Sequence, residues 1–262
     1  MHTILYWFRN DLRLADNPCF TEACATADRL LPVYIHDEQL EQNTAWGFAR
    51  MGAHRHAVLA SALRGLDQSL RSRGSRLYYS QGQPVAIITA LAQRFAVDAV
   101  WVEDIAAPEE RTEVYALSQA LEPVGVKLHT RWQSSMIAPD ALPFALSDLP
   151  DIFTRFRTQI VKAGISVNKP CAAPEILPAW PDLVAEPLQA QDAVGIAQEL
   201  MPTAPVGAGD PHSAFPYFDA TCRVDEARAQ AHLAQYFARR LPHTYKATRN
   251  QLIGVDYSSK WS

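Results

Sequence analysis

The stretch that most constrains this chain is its beginning. Ile4 to Phe8 is an unbroken apolar run, β-branched and aromatic, and too short for a helix. A strand that is apolar at every position suits cover on both faces, as in a parallel sheet. The run ends abruptly in Arg9, Asn10, Asp11 and Arg13. In an open α/β sheet the ligand crevice lies just outside the carboxyl ends of the strands. The first turn therefore puts a polar cluster where such a fold binds something. The same residues also suit an Arg–Asp turn that only fixes the strand-to-helix angle, and the sequence leaves both readings open.

The rhythm that follows is α/β. Asn17 before Pro18 is a helix start, a side-chain cap followed by a residue already at helical φ, with a short helix expected through Ala25. Strands are expected at Leu30–His36, Arg76–Ser80, Ala99–Val102 and Val126–Trp132. Between them, helices are expected from Phe48 to Arg73, stopped by Gly74, then from Val85 to Phe95, and again from Pro108. Strands alternating with helices in this way predict a doubly wound, five-stranded parallel sheet, a Rossmann-like α/β domain over residues 1–135. No GxGxxG follows the first strand and no GxxxxGK[ST] occurs, which argues against simple dinucleotide or P-loop chemistry. His54 and His56, two apart on a helix, face different ways, read as surface residues and do not share a metal.

With 262 residues, 48% of them hydrophobic, the chain holds enough apolar material for a real core. Cys19, Cys24, Cys171 and Cys222 form no CxxC pair, which reads as reduced thiols in a soluble cytoplasmic protein. No apolar run approaches membrane-spanning length. The net charge of −4 excludes a wholly basic nucleic-acid binder, but the charge is uneven. Residues 171–222 hold seven acids and no Lys or Arg, whereas residues 223–262 hold seven bases against three acids. A basic tail can meet phosphates, and an acidic loop cannot comfortably face DNA.

After the sheet the texture changes. Twelve of the 18 prolines fall between Pro139 and Pro216, so residues 136–222 read as an extended linker carrying one helix, Asp151–Lys162. Val224 to Leu241 reads as a helix with Leu233, Phe237 and Leu241 on one apolar face, ended by Pro242. In the tail, Asp256 or Ser258 can cap a further helix. Ser258, Ser259 and Lys260 would then present two hydroxyls, a cation and free backbone amides, a phosphate-binding helix start. A plain serine cap on a structural helix fits the same residues.

Four blocks carry a resemblance. Trp7-Phe8-Arg9-Asn10-Asp11-Leu12-Arg13-Leu14 with Asp16-Asn17-Pro18 resembles the amino-terminal signature of photolyases and cryptochromes. Trp132 to Phe144 and Leu149 to Arg157 are similar to the DASH branch of that family. Phe215-Pro216-Tyr217 and Glu226 to Tyr236 follow its next block loosely, with Val224 and Asp225 where two glycines are expected and a longer segment before them. Tyr245 to Asn250 and Gly254 to Ser262 resemble the opening of the flavin site.

The resemblance implies an antenna domain, a linker and, over 223–262, the incomplete start of an all-helical FAD-binding domain. It implies FAD contacts at Tyr245, Ser258, Ser259, Lys260, Trp261 and Ser262, and a methenyltetrahydrofolate antenna for which Glu103 and Asp104 are candidate carboxylates. The implied activity is light-driven repair of cyclobutane pyrimidine dimers, mainly in single-stranded DNA, or blue-light sensing. The partner is then damaged or single-stranded DNA, with no membrane and no implied oligomeric state. No catalytic residue is assigned within the chain. The helices that cradle the flavin belong downstream of Ser262, so the chain alone is expected to bind FAD weakly or not at all and to repair no DNA. A stand-alone, non-catalytic antenna module for a folate or nucleotide is the alternative. An electron-transfer or adenine-nucleotide protein outside the family is disfavoured by the missing glycine loop and by the tail.

Overall fold

The structure, a computed structural model, describes residues 1–182 and 225–248. Its centre is β1 (Thr3–Phe8), all six residues of which are buried. It is flanked by β2 (Arg29–Asp37) and β3 (Tyr78–Gly82) on one side and by β4 (Ala99–Asp104) and β5 (Lys127–Trp132) on the other. The five strands are parallel, in the order β3-β2-β1-β4-β5.

Because side chains alternate along a strand, β1 feeds two cores. Ile4, Tyr6 and Phe8 pack with Phe20 of α1 (Pro18–Thr26) and with Leu63, Leu66 and Leu70 of α2 (Ala53–Arg71). Leu5 and Trp7 pack on the opposite face with Ile88, Leu91 and Phe95 from α3 (Pro84–Arg94) and its end, and with Leu117 and Leu121 of α4 (Pro108–Leu121). Each large apolar side chain enclosed in this way contributes about 1.5–3 kcal/mol. That is why an unbroken apolar run sits at the middle of the sheet.

Asn17 caps α1 as expected, its Oδ1 accepting from the Phe20 amide at 3.0 Å, with Pro18 in the first turn. Helix α2 begins later than its apolar spacing suggested. Residues 42–50 form a small hairpin instead, closed by a bridge between Asn43 and Ala49 and turned through Gly47 at a φ of +83°. Gly52 then enters α2 without a side-chain cap. Strand β3 lies two residues beyond its expected span, fixed by pairing of Val33 with Tyr78.

Past β5 the chain returns along the domain. The Asp16 amide donates to the Cys171 carbonyl, Arg73 Nε to the Pro174 carbonyl and the Leu30 amide to the Ala179 carbonyl, while Leu177 is buried in the first core. One helix interrupts this run, α5 (Phe153–Lys162); Ile152, not Asp151, occupies its cap position. Further on, α6 (Glu226–Ala238) is capped by Asp225, whose Oδ1 accepts from the Arg228 amide at 2.9 Å. After a left-handed Arg240, residues Leu241–Thr244 make a 3-10 turn leading into the short α7 (Tyr245–Thr248). The apolar stripe expected on α6 exists, but Leu233 and Phe237 are 51% and 60% exposed. No helix among the described residues is long and apolar enough to cross a membrane.

Candidate functional site: a cavity at the carboxyl edge of the sheet

The strand order reverses between β1 and β4, and the loops leaving their carboxyl ends open there. The polar cluster after β1 splits into two roles at this point. Asp11 is fully buried and structural. Its carboxylate accepts from the Tyr6 hydroxyl at 2.6 Å, the Arg9 amide at 3.0 Å, Asn17 Nδ2 at 2.9 Å and Gln133 Nε2 at 3.1 Å. Burial and the adjacent Asp11 push the Tyr6 phenol well above its ordinary range. Asp11 thus fixes the strand-to-helix turn.

Arg9 does something else. Its guanidinium lies over the Trp7 ring at 4.7 Å and donates from Nη2 to Glu113 Oε2 of α4 at 2.6 Å. The side chain is 8% exposed, and its other terminal nitrogen, Nη1, is buried with no hydrogen-bond partner among the described residues. A buried guanidinium N–H without a partner costs free energy unless something accepts from it.

Arg9 lines a cavity of about 840 Å³. The sheet supplies Trp7 and Tyr34 to its wall, α2 and the segment before it supply Arg50, Met51 and Arg55, and α4 supplies Glu109 and Glu113. Arg50, from the segment before α2, pairs with Glu109 in the first turn of α4. Burial raises the Tyr34 hydroxyl to about 12, against the opposing pull of Arg55, and burial also raises Glu113, against Arg9. Asp225, Glu226 and Ala229 complete the lining from the far end of the chain. The lining thus sets guanidinium donors beside aromatic and methionine side chains and carboxylates.

The expected site residues are placed as follows. Glu103, at the end of β4, is 5% exposed; Ser134 Oγ donates to its Oε1 at 3.1 Å, and its Oε2 is buried without a partner among the described residues. Burial, with repulsion from Asp11, raises its carboxyl to about 7, against Ser134, Arg13 and Arg9. Asp104 follows it, its carbonyl accepting from Ser134 at 3.3 Å. Neither residue is on the cavity wall. Tyr245 opens α7 and is 56% exposed. Ser258, Ser259, Lys260, Trp261 and Ser262 lie outside the described residues.

Arg50, Arg55 and Glu113 were not singled out in the sequence, because they come together only through the sheet. His36 Nε2 lies 2.6 Å from Glu41 Oε1, and His56 Nε2 lies 3.4 Å from the other oxygen. Among the described residues no group of three acidic, His or Cys side chains is arranged to hold a metal.

The family model for DNA photolyase matches residues 4–175. The cryptochrome DASH of Natronomonas pharaonis is 33% identical over 262 residues, covering 100% of this chain and 52% of that protein. That of Gloeobacter violaceus is 33% identical over 263 residues, covering 99% of this chain and 49% of its own length. The crystal structure of a Synechocystis cryptochrome superimposes with a TM-score of 0.88 at 30% identity, over 100% of this chain and 52% of that one. The chain thus spans about half the length of the curated relatives it matches. With its sheet order, its first-turn cluster and these matches, the chain belongs to the DNA photolyase family, and the relatives it matches are cryptochromes DASH.

Proposed function

We propose that this chain is the light-harvesting, amino-terminal part of a DASH-type cryptochrome/photolyase. The parent activity in this reading is light-driven repair of cyclobutane pyrimidine dimers in single-stranded DNA, or blue-light sensing. The observation that carries the antenna assignment is the cavity of about 840 Å³, with a buried Arg9 Nη1 that no described residue satisfies. Such a donor fits a carbonyl or anionic oxygen on a bound ring system, and Trp7 and Tyr34 offer it aromatic surface. Folate and flavin both have that chemistry. Glu103 and Asp104, the carboxylates expected to meet a folate, would act from the neighbouring end of β4, where Glu103 Oε2 is also buried with no partner among the described residues.

FAD, when bound, would supply the photochemical electron transfer, and the protein's share is to bind, orient and shield it. Of the residues proposed to contact it, Tyr245 comes from α7, with Ser258 to Ser262 following. Most of the flavin's surroundings belong to the half of the fold that the relatives carry beyond this chain's length. On that ground the chain alone retains FAD weakly or not at all and repairs no DNA. A stand-alone antenna module is the second reading, favoured by one fact: β1, β2, α2, α4 and α6 of this chain all contribute to the cavity lining.

The test is the absorption spectrum of the purified chain after incubation with methenyltetrahydrofolate, with flavin mononucleotide and, separately, with FAD, followed by desalting. Retention of folate or flavin mononucleotide, lost on Arg9→Met, supports the antenna assignment. Retention of neither overturns it. Stoichiometric FAD with dimer-splitting activity would overturn the expectation of an inactive chain.

A further inference from the structure

The first turn of α6 is joined to the α/β domain by contacts that no sequence motif announced. The Glu226 carboxylate straddles two consecutive backbone amides, Oε2 accepting from Leu14 N at 2.9 Å and Oε1 from Ala15 N at 2.8 Å. Those amides lie in the loop between β1 and α1, just after the Asp11 turn. A carboxylate accepting two backbone N–H groups is a charge-assisted, two-point contact that fixes orientation as well as distance. Beside it, Gly65 in the middle of α2 faces Asp225. A Cβ on Gly65 would overlap the Asp225 side chain at a separation no real pair of carbons adopts. Glycine in a helix interior is unfavourable relative to alanine, so its place here is explained by the close approach of α6.

These contacts also shape the cavity, because Asp225, Glu226 and Ala229 form one of its walls. At the other end of α6 the chain passes through one 3-10 turn to Tyr245. A helix of 13 residues at 1.5 Å per residue is a rod of about 20 Å. One end closes the cavity and the other carries the residue proposed to meet the flavin.

We propose that Glu226 is a positioning residue: it clamps α6 onto the loop at 14–15, closes the antenna cavity, and so sets the separation between the two chromophore sites. This rests on the antenna and flavin assignments above, but the clamp has consequences independent of them. If closure of the clamp and occupancy of the cavity share a wall, each must favour the other by the same factor. Arg13 and Arg55, also on the cavity lining, give an anionic occupant the complementary charge that the acidic first turn of α6 does not.

The experiment is amide hydrogen exchange at Leu14 and Ala15 in the intact chain, with and without saturating flavin mononucleotide or methenyltetrahydrofolate, alongside titration of the same probes. The variants are Glu226→Ala, Glu226→Gln, which retains one acceptor, and Gly65→Ala, which displaces α6 without touching the carboxylate. The expected result is exchange at those two amides at least tenfold faster in Glu226→Ala and Gly65→Ala, and a smaller rise in Glu226→Gln. Probe affinity should fall in the same order, and the probe should slow exchange at 14 and 15 in the wild type by the factor that the open clamp loses in affinity. Unchanged exchange in Glu226→Ala overturns the clamp, whatever the cavity binds. Fast exchange with undiminished probe affinity overturns the linkage and leaves the antenna reading standing. A wild type that binds neither probe overturns the linkage together with the antenna reading, while the exchange ratios still decide the clamp.

Discussion

The Tyr6 hydroxyl and the Asp11 carboxylate meet at 2.6 Å inside the protein, one residue at the centre of β1 and the other in the turn that leaves it. Through that bond the middle of the sheet holds the loop on which Arg9 and the 14–15 amides depend. Asp11 also accepts from Arg9 N, Asn17 and Gln133, so its charge is distributed over four donors and needs no cation in contact.

Asp11→Asn should therefore be among the most damaging single substitutions in the chain. It replaces an acceptor-only group by one that must point two N–H donors at donors. A loss of about 2–4 kcal/mol in urea unfolding is expected, from several hydrogen bonds to a charged group at once. Tyr6→Phe, which removes one donor and leaves the other three, should cost about 1–2 kcal/mol. Equal costs for the two would show that the shared network does not exist.

Glu103 gives a pH dependence of defined sign. Its folded carboxyl titrates at about 7, above its ordinary 4.5, so between those values the folded protein binds more protons than the unfolded chain. Its contribution to stability is greatest below pH 4.5 and falls as pH rises through 7. The size of that fall is about 3 kcal/mol. Glu103→Gln should flatten the urea midpoint against pH between about 5 and 8. A wild-type slope that survives the substitution would assign the titration elsewhere.

The Arg9–Glu113 pair is nearly enclosed, with the side chains 8% and 22% exposed. Removing one partner leaves a buried charge and should cost about 3–5 kcal/mol. Arg9→Met with Glu113→Leu removes both and should cost clearly less than Arg9→Met alone. Thermal unfolding of the two variants decides the sign of the coupling.

The thiols should separate in reactivity. Burial pushes both Cys19 and Cys24 to about 12, and thiolate is the reactive form. A disulfide reagent at pH 8 should modify the buried Cys19 only as fast as the domain opens, more slowly than the part-exposed Cys24 and Cys171, the latter beside Thr21. Mass spectrometry of tryptic peptides against time reads all three.

Sequence legibility tracked how local each feature is. The strand at Ile4–Phe8 and the Asn17-Pro18 cap were readable because a few adjacent residues decide them. The start of α2 was not, because apolar residues at Phe48 and Met51 extend the helical spacing while a hairpin and Gly52 keep the backbone out of the helix. Met51 is buried and Phe48 is exposed, a difference only tertiary packing makes. Asp11 and Arg9, adjacent in one motif, looked alike; one is a structural acceptor and the other faces a cavity. The polar cluster after β1 marked the cavity's place, but the rest of its lining had no sequence signature, because β2, α2, α4 and α6 each give it only a few residues. The carboxylate of Glu103 was noticed for its place at a strand end, but its burial and raised pKa come from neighbours distant in the chain.

The two-faced burial of β1 also has a consequence in time. Residues 3–8 are synthesised before the other four strands of this sheet, yet their far neighbour is β4, with the Thr3 amide bonded to Asp98, 95 residues later. At a synthesis rate of about 5–20 residues per second, a fully apolar strand waits roughly 5–20 seconds before its second edge is paired. For that interval a strand with an unbroken apolar run keeps an unpaired edge, the pattern that invites aggregation.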